Sequence, residues 1–142
     1  MRVLAVDVGE RRIGLAISDV SRTLARPLLT LTVTNARDGV DQVAAEIARL
    51  TEEDDGLSTI VVGLPVRLDG SPNDQTPRVA AFIEALKMRT PVPILTTDER
   101  LTSREAESLL AERIRDWRQR KARLDAVAAA VILQDYLEAH RA

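Results

Sequence analysis

Three acidic positions carry most of the chemical promise of this chain. Asp7 interrupts the apolar run Arg-Val-Leu-Ala-Val-Asp-Val of residues 2 to 8, where a carboxylate needs a cation or strong hydrogen bonds to offset its desolvation. Asp98 and Glu99 follow directly on the apolar segment 92–97, and Asp125 opens the last helical pattern. Taken singly, each has an ordinary reading. Asp7 could prepare a turn, Asp98 and Glu99 could pair with Arg100 in a loop, and Asp125 could sit in the favourable field of a helix N-terminus. Taken together, Asp7, Glu99 and Asp125 have the makings of a metal clamp. Two-metal phosphodiester hydrolysis holds its ions roughly 3.5–4 Å apart with carboxylates drawn from remote positions. The clamp requires a central first strand with the last helix packed beside it.

The absences narrow the chemistry. There is no cysteine, which excludes disulfides, thiolate metal sites and cysteine nucleophiles and suits a reducing cytoplasm. The sole histidine, His140, stands two residues from the C-terminus, so neither a His-based triad nor a two-His zinc site can be built; it reads as a solvated chain end. Ser18, Ser71 and Ser103 lack a base partner and are not proposed as nucleophiles. Any metal must be held by oxygen, which favours Mg²⁺ or Mn²⁺.

The elements that would position these acids follow from hydrophobic periodicity. With 142 residues, 45% hydrophobic and 30% charged, the chain has the composition of one ordinary globular domain spanning 1–142. No apolar run approaches the roughly 20 residues of a membrane span, and the N-terminus shows no signal peptide. Strands are expected at 2–8, 13–18, about 27–33, 59–63 and 92–97, the first two as a hairpin through Gly9. Val40, Val43, Ala44, Ile47 and Leu50 form one helical stripe that begins from Asp38 as N-cap. Thr76 and Pro77 open a second helix with Val79, Phe82, Ile83 and Leu86 on one face. Thr102-Ser-Arg-Glu105 has capping-box spacing for a third, and a last helix runs from about Arg123 to His140. The order βββαβαβαα implies an α/β fold with a central five-stranded mixed sheet and right-handed crossovers. Functional side chains are expected at the carboxyl ends of the strands.

Charge is informative locally. The net charge is −2, yet residues 112 to 123 carry six basic and two acidic side chains. Such a run is either a solvated helix face or the footprint of a phosphate backbone. Phe82, Trp117 and Tyr136 are the only aromatics, too few for a base-stacking platform of the usual kind.

Four motifs in order resemble one family: Asp7-Val-Gly-Glu-Arg-Arg-Ile-Gly-Leu-Ala-Ile-Ser-Asp19; Val62-Gly-Leu-Pro65 followed by Asp69-Gly-Ser71; Asp98-Glu-Arg-Leu-Thr-Ser103; and Leu124-Asp125 leading to Ala129-Ala-Val-Ile-Leu-Gln134. Over essentially its whole length the chain is similar to the YqgF/RuvX family, Holliday-junction-resolvase-like proteins described as nucleases of precursor 16S ribosomal RNA. The resemblance implies an RNase H-like fold with helices on both faces of the sheet, and a cytoplasmic, metal-dependent nuclease trimming the 5′ end of that RNA. It assigns Asp7, Glu99 and Asp125 as catalytic metal ligands for Mg²⁺ or Mn²⁺, with Asp98 second choice because it should point away from Glu99 in a strand. Arg11, Arg12, Arg100 and Lys121 are the cations expected near substrate phosphates. One departure stands out. Many RNase H-like nucleases use four carboxylates, two of them close together on the last helix, whereas Ala126, Val127 and Ala128 follow Asp125 here. Either one ion is then held tightly and a second recruited with substrate, or catalysis is slow.

Three rival readings make different demands. A resolvase of branched DNA would share the site but need two copies, hence a homodimer rather than a monomer. A sugar-kinase or actin-like ATPase is suggested by Asp7-x-Gly9 and Gly14, but would need a second such domain to clamp its nucleotide. A non-catalytic adaptor in ribosome assembly or transcription would tolerate Asp7→Asn.

Overall fold

The computed structural model describes residues 1–67, 69–98 and 124–140. The predicted third helix from Thr102, the basic run, and Glu99, Arg100 and Lys121 lie outside the described residues. The elements run β1 (Arg2–Val8), β2 (Arg12–Ser18), β3 (Ala25–Thr32), α1 (Ala36–Glu52), β4 (Leu57–Leu64), α2 (Thr76–Lys87), β5 (Ile94–Asp98) and α3 (Leu124–Ala139). The five strands form one mixed sheet in the order β3-β2-β1-β4-β5, with β1 central, β2 antiparallel to both its neighbours, and β4 and β5 parallel to β1.

Boundaries moved where local polar chemistry outweighed the apolar pattern. Asn35, not Asp38, caps α1: its extended backbone (φ −161°) lets Oδ1 accept from the Asp38 N–H at 2.8 Å. Asp38 instead reaches back to accept from the Thr34 N–H at 2.9 Å, so the two acceptors close the helix start reciprocally. The hairpin turn needs glycine at position 9, because a Cβ there would meet the Arg12 carbonyl oxygen at 2.5 Å while the Gly9 N–H donates to that same oxygen. Arg2 proves to be a structural residue. Buried at the start of β1, its guanidinium donates to the carbonyls of Leu50 and Gly56 and to Glu53, closing the end of α1.

Alternation along each strand divides the core in two. Leu4, Val6, Val8, Ile60 and Val62 face α1 and α2, where they meet Val43, Ile47, Phe82 and Leu86. Val3, Ala5, Ala16, Ala25 and Val61 face α3, which answers with Ala129, Ala130, Leu133 and Leu137. The second interface is built of small residues on both sides, so α3 lies close against the sheet.

The axial position of α3 is fixed by one side chain. Gln134 is fully buried; its Oε1 accepts from the Ala25 N–H at 2.9 Å and its Nε2 donates to the Thr23 carbonyl at 3.0 Å. Ala25 is paired in the sheet with Ser18, whose Oγ accepts from the Val3 N–H at 2.8 Å. The start of β1, the end of β2, the start of β3 and the middle of α3 are thereby tied together at one end of the sheet.

The turn between β2 and β3 is held by Asp19. Burial works against its ionisation, but the N–H groups of Thr23 and Leu24 and the hydroxyl of Ser21 outweigh it and keep the carboxyl below its ordinary value of 3.8. A carboxyl that binds its proton more weakly when folded stabilises the fold above pH 3.8, and that contribution is lost as the pH falls through the folded value.

Gln134→Leu, which keeps the volume but removes both polar atoms, should lower stability by about 2 kcal/mol in urea titrations. In the same assay Asp19→Asn should be less stable than the parent at neutral pH, and this difference should shrink towards pH 3.

Candidate active site

The sheet's parallel strands all end on one side, and Asp7 stands there, half-buried, at the carboxyl end of the central strand. Because Val3 and Ala5 face α3, alternation puts Asp7 on that face too. Its neighbours in the sheet have no side chains. Asp7 is paired with Gly14 on β2; on the other side, one residue beyond the Val6–Val62 pair, it stands level with Gly63 of β4. Gly14 is paired in turn with Thr30 and Gly63 with Thr97. A single row across all five strands therefore reads Thr30, Gly14, Asp7, Gly63, Thr97, with a glycine on each neighbouring strand, about 4.8 Å from β1. The Thr30 hydroxyl is buried, with no hydrogen-bond partner among the described residues. This row sets oxygen donors, which suit a hard divalent cation better than any softer metal, beside two buried glycines that add no side chain of their own.

Asp125 is brought to the same end by the Gln134 clamp. It lies nine positions before Gln134, about 13.5 Å along the helix. From Val3, level with the clamp, to Asp7 is four strand positions, about 13 Å. Helix and strand thus bring the backbone positions of Asp125 and Asp7 to a common level. Asp98 ends β5 at the same end of the sheet, opposite Leu64. It follows Ile94 at even spacing and so belongs to the α1/α2 face. The structure does not bring Asp98 and Asp7 together. Among the described residues no three acidic or imidazole side chains gather into a metal-holding cluster; Glu99 lies outside them. Arg11 and Arg12 are exposed in the hairpin turn just past Asp7, and the Arg11 carbonyl accepts from the Val33 N–H at 2.8 Å.

Sequence reasoning missed the Thr–Gly–Asp–Gly–Thr row. Counting by twos marks Gly14 and Gly63 as strand glycines, but only strand register aligns them with Asp7.

The five-stranded mixed sheet in this order, with α1 and α2 on one face and α3 on the other, is the RNase H-like fold. Its likeness to T. thermophilus RuvC, solved in complex with a Holliday junction substrate, has a TM-score of 0.59 at 16% identity, covering 99% of this chain and 96% of that one. The profile of the family described as "RuvX: Holliday junction resolvase" matches residues 1–139. A relative from Roseiflexus sp. (strain RS-1), named "Putative pre-16S rRNA nuclease", is 39% identical over 140 residues, covering 99% of this chain and 96% of its own length. One of the same name from Chloroflexus aurantiacus (strain ATCC 29366 / DSM 635 / J-10-fl) is 44% identical over 139 residues, covering 98% of this chain and 88% of its own length. Fold and family define a nuclease, a hydrolase of phosphodiester bonds. The chain belongs to the RuvX family.

The space beside Asp7 is open to test. Gly63→Val keeps strand propensity but places a branched side chain next to the carboxylate. Because Gly63 is buried, the variant should melt several degrees below the parent, and its folded fraction should lose roughly 10-fold or more of RNA cleavage.

Proposed function

We propose that this protein is a metal-dependent nuclease acting in the cytoplasm on precursor 16S ribosomal RNA, with Asp7, Glu99 and Asp125 as its metal-holding acids. The observation that carries the reading is the convergence of Asp7, between two glycines, and the start of α3 at one end of one face of the sheet. The relatives' shared name supports RNA as substrate.

The chain supplies several features for this reaction. Asp7 provides an oxygen ligand on the central strand, and the flanking glycines place no side chain of their own beside it. A bound Mg²⁺ or Mn²⁺ would supply electrostatic stabilisation of the charge developing on the phosphoryl oxygens and lower the pKa of a coordinated water. Hydrolysis forms one bond from a water oxygen to phosphorus and breaks one P–O bond to ribose, yielding a phosphate monoester and a hydroxyl, so it needs no covalent enzyme intermediate. The first turns of α1, α2 and α3 all lie at this end of the sheet, and their combined dipoles favour an anionic substrate. Arg11 and Arg12, with Arg100 and Lys121, are assigned to its phosphates.

A second reading, cleavage of branched DNA, is favoured by the family's description and by the likeness to RuvC. It requires two sites and hence a homodimer; the RNA reading is met by a monomer.

The test compares wild type and Asp7→Asn on a precursor 16S RNA, a matched DNA and a four-way DNA junction, with Mg²⁺, Mn²⁺ or chelator. RNA cleavage should need metal and fall at least ~100-fold in Asp7→Asn. Mn²⁺ should raise the melting temperature of the wild type and not that of the variant. Cleavage indifferent to both changes would remove the mechanism, and preference for the junction would move the substrate to DNA.

A further inference from the structure

At the other end of the α3 face, about 13 Å along β1 from Asp7, lies a cavity of about 350 Å³ that the nuclease reading does not use. Its floor is apolar, formed by Val3 and Leu137, and its walls carry Arg22, Thr59, Tyr136 and His140. Among the described residues no acidic side chain lines it. Tyr136 and His140 are stacked, with ring centroids 4.1 Å apart and an interplanar angle of 25°. The pair is held by the His140 Nδ1–H, which donates to the Tyr136 carbonyl at 2.9 Å.

Arg22 is the unusual member. It is the only non-glycine with positive φ among the described residues, at 58°, a conformation that costs a long side chain roughly 1 kcal/mol or more. The surrounding turn enforces it. Asp19 accepts from the Thr23 and Leu24 N–H groups and the Ser21 hydroxyl, and Gln134 ties the Thr23 carbonyl to α3. The one acid in the turn is thus engaged with backbone and hydroxyl, and Arg22 forms no ion pair among the described residues. Arg22 is thus held at strained cost beside a cavity that has no acidic side chain among its described lining residues.

We propose that this cavity binds a 5′-phosphorylated nucleoside, with the phosphate on Arg22 and the base against the Tyr136–His140 stack. The volume is larger than a phosphate alone requires and falls in the range of small-ligand sites. A planar base matches the ring faces, as aromatic side chains take unstacked bases, and the guanidinium matches phosphate oxygens through paired, charge-assisted hydrogen bonds. The shared chemistry has two sources, a free mononucleotide or one nucleotide of an RNA strand. The site is separate from the acidic one, so its fate does not depend on the metal-ligand assignment.

The experiment titrates the full-length protein with adenosine 5′-monophosphate, adenosine, inorganic phosphate and a five-nucleotide RNA, followed by amide chemical shifts. The monophosphate should move the amides of Thr59, Arg22 and residues 136–140, and bind at least ~10-fold more tightly than adenosine or phosphate alone. Arg22→Gly relieves the positive φ, so it should melt at the same or a higher temperature, yet weaken the monophosphate at least ~10-fold. Arg22→Lys should retain part of the binding. Competition by the pentanucleotide identifies an RNA strand as the source, and its absence identifies the free nucleotide. No shifts at about 10 mM monophosphate, or equal affinity in Arg22→Gly, overturns the proposal.

Discussion

The close seating of α3 on the sheet is the constraint on which the rest of this structure depends. Alanines on both sides, Ala5, Ala16 and Ala25 against Ala129 and Ala130, let helix and strands approach without large side chains between them. Such an interface is geometrically permissive along the helix axis, because small residues offer few interlocking ridges. Gln134 removes that freedom. Its amide satisfies one donor and one acceptor at the start of β3, so a slide of the helix by even one turn would break two buried hydrogen bonds. The level of Asp125 relative to Asp7 is therefore decided at a residue nine positions away, at the opposite end of the face.

The same face carries two different chemistries. At the carboxyl ends of the parallel strands, buried glycines stand on both sides of Asp7, and three helix starts lend positive potential. At the other end the face is closed by the Asp19 turn, which gives up backbone comfort at Arg22, a residue that lines one cavity with Tyr136 and His140. The apolar middle, Val3, Ala5, Val61 and Leu133, separates the two and keeps the helix in register between them. The opposite face, against α1 and α2, is packed with Leu, Ile, Val and Phe. Asp98 sits at its margin, away from Asp7, although both end parallel strands.

Much of the architecture was legible as pattern. Continuous apolar runs marked β1 and β4, the stripe from Val40 to Leu50 marked α1, and Thr76-Pro77 marked the start of α2. The errors came where polar side chains bond locally: Asn35 took the cap expected of Asp38, because Asp38 could serve better by reaching back to Thr34. Arg2, read as the edge of an apolar run, turned out to close α1 from below. His140, read as a solvated end, is indeed exposed, and it also stacks on Tyr136.

The sequence by itself determined the order of the described elements, the residue types available for chemistry, and the family. These follow from residue types, from the absence of cysteine and of any histidine but His140, and from motifs contiguous along the chain. Only the tertiary structure decided which residues share a level and a face. Gly14, Gly63, Thr30 and Thr97 became neighbours of Asp7 through strand register, and Arg22 met Tyr136 and His140 through the docking of α3. Register and docking are set by hydrogen bonds between residues up to 111 positions apart, which no local pattern encodes.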